Sequence, residues 1–235
     1  MTGSRGVALI LVLVVMSFLS ALGLGLTLIV FIEHLAAGNM RHSVDMLHAA
    51  DAGLELAARE LAHLSNWSEA LNGSAQSRFV DGLPGGARPV PGGSTVDLSV
   101  ITNRLNCGRD NGCTAAQMDA TTRERPWGVN NARWRLFAYG PFGAMAEFAR
   151  PASCYVVVWV ADDSREQDDD PSTDGTGEAA QGAGIVRIRA EAYGPAGSRR
   201  AVEAELVRHC IPDPVSVCRV GIRVQSWEEV RQTVP

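Results

Sequence analysis

The sequence predicts an α+β protein in which a long N-terminal hydrophobic helix packs against an antiparallel β-sheet head. Three observations lead there. Val7 to Ile32 is a run of 26 residues without a charge; the chain then continues without proline to about Leu64 with apolar residues at helical spacing; and the remainder breaks into short strand-like runs separated by glycine- and proline-rich turns.

As a helix, the first segment is roughly 39 Å long, more than the ~30 Å of a bilayer's hydrocarbon. It exceeds the apolar core of a cleaved secretory signal, and no A-x-A-like site closes it. Arg5 lies before it and Glu33 and His34 after it, so the positive-inside bias puts residues 1–6 in the cytoplasm and residues 33–235 on the far side. Ser17, Ser20, Ala21, Gly23 and Gly25 form a small-residue patch that permits close helix approach; ordinary membrane-helix glycine is the plainer reading. Beyond Glu33 the helix turns amphipathic. Leu47, Ala50, Leu54, Ala57, Leu61 and Leu64 follow 3–4 spacing, while Arg41, Asp45, Asp51, Glu55 and Arg59 project elsewhere.

After Leu64 the composition changes to NWSEALNGS and GLPGGARPVPGG, loop material that ends the stalk. Strands are expected at Thr95–Ile101, Arg133–Tyr139, Cys154–Ala161, Gly184–Tyr193, Ala201–His209 and Val217–Val224. In IVRIRAEAY the alternation sets Val186, Ile188, Ala190 and Ala192 against Arg187, Arg189, Glu191 and Tyr193, and GPAGSRR reads as a hairpin turn. The five cysteines face an oxidising compartment in this topology and none has zinc spacing. Cys107–Cys113 and Cys210–Cys218 are the favoured local bridges, with Cys154 left over as a competitor for either.

The most charged segment, residues 161–184, joins two strands. Asp170, Ser172, Asp174, Gly175 and Glu178 stand at positions 1, 3, 5, 6 and 9 of an EF-hand-like loop, with Asp168 and Asp169 adding charge, a spacing that suits Ca²⁺. Position 12 is Gln181, which supplies no bidentate carboxylate, and a solvated acidic loop is the competing reading. No other cofactor is indicated. All 21 basic residues are arginine and the net charge is −5, which gives no electrostatic reason to bind nucleic acid. The sequence contains no G-x-S-x-G, H-E-x-x-H, P-loop or dinucleotide fingerprint, so a non-catalytic role is expected. Trp127, Trp134 and Trp159 read as core or sheet-face aromatics.

Arg5-Gly6 followed directly by the apolar helix, then EHLAAGNMRH (Glu33 to His42) and HAADAGLE (His48 to Glu55), resembles the N-terminal region of type IV pilin-like proteins, specifically the PilX group of minor pilins. The resemblance covers about residues 1–65. It implies a leader at 1–6 cut by a prepilin peptidase between Gly6 and Val7, a transmembrane or filament-core half-helix at 7–32, an outer half at 33–65, and an exported head at 66–235. Gly23, Gly25 and Glu33 would take part in filament packing. Leu11 stands at the fifth mature position, where major pilins carry glutamate, which points to a tip or initiating subunit. The implied setting is the inner membrane with the head in the periplasm, then an extracellular pilus. The implied partners are other minor and major pilins and a PilY-type tip adhesin, in attachment or twitching motility. A type II secretion pseudopilin, or an uncleaved single-span binding protein, are the alternative expectations.

Overall fold

The computed structural model describes residues 4–145, 154–175, 184–211 and 219–230. Helix α1 (Ser4–Leu61) is continuous, as the absence of proline allows. The chain falls into two units that meet within this helix, one ending at His42 and the other beginning at Ser43.

In the first unit α1 is long and apolar enough to cross a membrane, with a mean hydropathy of 2.8 over its most apolar window. None of that window is buried within the chain.

The second unit is an α+β head. Strands β3 (Arg135–Pro141), β4 (Tyr155–Asp162), β5 (Ile185–Tyr193), β6 (Arg199–Ile211) and β7 (Arg219–Glu229) form an antiparallel sheet in sequence order. Val158 stands opposite Ala190, and Ala190 opposite Val202, so one face carries Val156, Val158, Val160, Ile188, Ala190 and Leu206. Against it lies the last part of α1, burying Met46, Ala49, Ala50, Gly53, Leu54, Ala57, Ala58 and Leu61. This stripe is rotated slightly from the leucine-centred one predicted. Leu47 is only partly buried, as is Leu64, which lies beyond the helix end at Leu61.

Two further differences concern the opposite face. Thr95–Ile101 is not one strand: β2 (Thr95–Asp97), paired with β1 (Ala87–Pro89), gives way at once to helix α3 (Leu98–Cys107). Asp97 is the switch, since its carboxylate accepts hydrogen bonds from the Ser99 and Val100 N–H groups and caps the helix. Helix α3 and the β1–β2 ribbon then cover the second sheet face, with Leu98, Ile101, Val90 and Val96 packed with Tyr139, Tyr155, Val157 and Trp159. Strand β4 is consequently buried along its whole length. Trp159 and Trp134 are core residues, as expected, whereas Trp127 is 46% exposed. The short helices α2 (Ser68–Leu71) and α4 (Ala115–Met118) complete the head.

The Cys107–Cys113 disulfide is formed, with Cα atoms 6.0 Å apart, and closes the turn after α3. Cys154 is buried at the head of β4. The predicted Cys210–Cys218 bridge lies outside the described residues.

Candidate functional site

Two features carry the functional argument: the exposed apolar helix of the first unit and the buried acidic root of the β4–β5 connection in the second.

On the helix, Gly6 and Val7 belong to the first turns of α1, and Val7 and Leu11 are exposed, at 64% and 61%. Gly23 and Gly25 have no atom of another residue where a Cβ would stand, and Gly25 helps form a shallow notch with Phe18, Ala21, Leu22, Leu26 and Ile29. Thr27 satisfies its hydroxyl within the helix by donating to the Gly23 carbonyl (2.8 Å). Glu33, where the uncharged run ends, is exposed.

In the acidic segment the described members of the predicted EF-hand-like set, Asp168, Asp170, Ser172 and Asp174, are not gathered at one point. The side chains of Asp168 and Asp170 are occupied locally: Asp168 accepts from the Asp170 N–H (2.9 Å), and Asp170 from the Ser172 N–H (3.1 Å) and hydroxyl. These are Asx-type turns, the ordinary use of short polar side chains in a loop. Asp174 turns the other way, inward, and Glu178 lies outside the described residues. Of the expected set Asp168, Asp170, Ser172, Asp174 and Glu178, Asp174 is the one that joins a convergent acidic group among the described residues.

That group is Asp162, Glu166 and Asp174, which bring one carboxylate oxygen each to within 4.8 Å of one another. Asp162 is the last residue of β4, and Glu166 is placed by a turn in which its N–H donates to the Asp163 carbonyl (2.9 Å). Asp174 is fixed from two sides, its N–H donating to Ser68 Oγ (3.0 Å) and its Oδ1 accepting from the Gly184 N–H (2.6 Å). All three are buried, and Glu166 is 1% exposed. Burial pushes Asp162 up to about 8, with the Glu166 charge adding to it. Burial likewise raises Glu166, reinforced by Asp168, Asp174 and Asp163 and only partly offset by the Gly175 N–H. Asp174 is raised by burial against the opposing pull of the Gly184 N–H and Arg208. The cation in the same turn, Arg165, bonds Asp163 (3.1 Å) and Glu205 (3.0 Å) instead.

Sequence reasoning missed Asp162 and Glu166. Asp162 reads as the polar end of a strand, and Glu166 as one charge among many in ADDSREQDDD. Their spacing matches no established motif, and burial was the missing signal. Against protein-family models, curated proteins and solved structures, the chain has no match.

Proposed function

We propose that the chain is a minor pilin, stored in the inner membrane by residues 7–32, processed between Gly6 and Val7, and incorporated into a type IV pilus with its head displayed outside. The carrying observation is a single helix that buries nothing over its apolar first part and whose end, from Met46 to Leu61, forms the spine of an α+β head. A helix exposing Leu, Ile, Val and Phe on every side is unstable in water. It needs lipid, or the like helices of neighbouring subunits, and a filament core supplies the second after the membrane supplies the first.

Leu11 bears on the position in the filament. An ammonium terminus brought into hydrocarbon costs several kcal/mol unless a carboxylate meets it. A subunit with leucine at this place cannot meet a neighbour's terminus, and it is best tolerated at the tip, where no subunit lies ahead. Presentation and assembly, with other pilins and a tip adhesin as partners and no catalysis, follow from this reading.

Mass spectrometry of the natural protein tests it. The expected N-terminus is Val7, N-methylated, on a chain recovered with sheared filaments, and Gly6→Ala should retain the leader and remove the protein from the filament fraction. A natural chain retaining residues 1–6 and absent from filaments would leave the uncleaved single-span reading instead.

A further inference from the structure

Three carboxylates out of solvent, at the root of a connection rather than on its exposed tip, need an explanation. A buried anion without a partner costs far more than an exposed one, so proteins pair such groups, neutralise them or give them a metal. Among the described residues no cation pairs with them. Asp162 Oδ1 and both oxygens of Glu166 are enclosed without a well-aligned hydrogen bond, the Gly175 N–H offsetting the Glu166 charge only in part. Arg165 is engaged elsewhere, and Arg208 donates to the Leu64 and Ser65 carbonyls (3.0 and 2.9 Å).

We propose that Asp162, Glu166 and Asp174 bind one divalent cation, calcium, which ties the β4–β5 connection to the end of β4 and to the α2 segment. The chemistry is suited. Calcium takes hard oxygen ligands at about 2.3–2.6 Å, so two ligands facing each other across it stand up to about 5.2 Å apart. The three carboxylates lie within that span. Glu166, neither of whose oxygens is held by a well-aligned hydrogen bond among the described residues, can bind through both, as the final glutamate of a calcium loop does. Magnesium, with its shorter bonds and strict octahedron, suits three convergent protein carboxylates less well.

The ion would complete an arrangement already held by Ser68 and Gly184 around Asp174. Calcium would act as a staple, fixing where the long acidic connection leaves the sheet and therefore how the outer acids are displayed. The inference concerns the head alone and stands independently of the pilus reading.

The test is calorimetric titration of CaCl₂ into the full chain in detergent after chelator treatment, together with thermal unfolding followed by tryptophan fluorescence. One ion per chain should bind, and at a hundredfold excess over Kd the melting temperature should rise by about 5–10 °C. Glu166→Gln should abolish both responses, yet in chelator it should melt no lower than the parent, because an unpartnered buried charge has been removed. Asp170→Asn, altering an exposed acid outside the group, should change affinity by less than about threefold. The proposal is overturned by absence of saturable binding up to about 10 mM calcium, beyond the range of weak extracellular sites. It is equally overturned if Glu166→Gln keeps the calcium response, or if Asp170→Asn loses it while Glu166→Gln does not.

Discussion

A Cβ on Gly53 would stand 2.7 Å from Val156 Cγ1 and 3.2 Å from Val158 Cγ2, so at this glycine α1 lies close against the sheet. Both valines are fully buried and branched at Cβ, and neither methyl can swing aside cheaply. Alanine gains about 1 kcal/mol in helix propensity, but overpacking of this kind costs about 1–3 kcal/mol. Gly53→Ala should therefore destabilise the head by up to about 2 kcal/mol on balance. Urea unfolding of the full chain in detergent measures it, and a more stable variant would contradict the close contact.

Glu191, on β5, is fully buried and accepts hydrogen bonds from Arg189 (2.8 Å), Arg199 (2.9 Å) and the Tyr193 hydroxyl. Burial alone would raise its pKa, but the two guanidiniums outweigh it and the net shift is downward. A folded value below the unfolded one of about 4.3 means that this stabilisation is present above roughly pH 5 and is lost as pH falls through the folded value. Glu191→Gln should lower stability at neutral pH by about 1–3 kcal/mol, since it removes one of the two carboxylates that pair the enclosed Arg189 and leaves Glu203 alone to meet it. It should also flatten the acid limb of a plot of melting temperature against pH. An acid limb identical to the parent's would show that Glu191 does not set it.

Trp67 is buried and donates from its indole nitrogen to the carbonyl of Leu61 (2.9 Å), closing the end of α1, while the Arg208 guanidinium lies 4.3 Å from the ring centre. Trp67→Phe removes the donor and part of the volume, for an expected loss of about 1–3 kcal/mol. Amide exchange in the last turn of α1 should accelerate along with the fall in stability. Unchanged exchange there would separate the tryptophan from the helix end.

The Cys107–Cys113 bond closes a short loop beside α3, the helix that covers the second sheet face. Chain-entropy reasoning for a loop of about seven residues gives about 2 kcal/mol. Reduction and alkylation should then lower the melting temperature by about 4–8 °C. A reduced chain melting with the oxidised one would show that the bridge does not constrain the unfolded state.

Much of the fold is legible in the order of residues. The uncharged run from Val7 to Ile32, the proline-free stretch behind it and the alternation in IVRIRAEAY are local patterns, and local patterns are what select helix or strand. The Cys107–Cys113 bridge was legible for the same reason, with its partners six positions apart. Asp97 misled because T-V-D-L-S-V-I alternates like a strand; its capping role was readable, but the alternation masked it.

The sequence by itself determined that an apolar rod precedes a β-rich head, because hydrophobicity and its period belong to neighbouring residues. Only tertiary structure decided that both sheet faces are covered, so that Glu191 and Arg189 are enclosed, and that Asp162, Glu166 and Asp174 meet out of solvent while Asp168 and Asp170 stay outside. Burial and convergence depend on which distant segments pack together. For a carboxylate, those two conditions separate a solvated loop charge from a ligand.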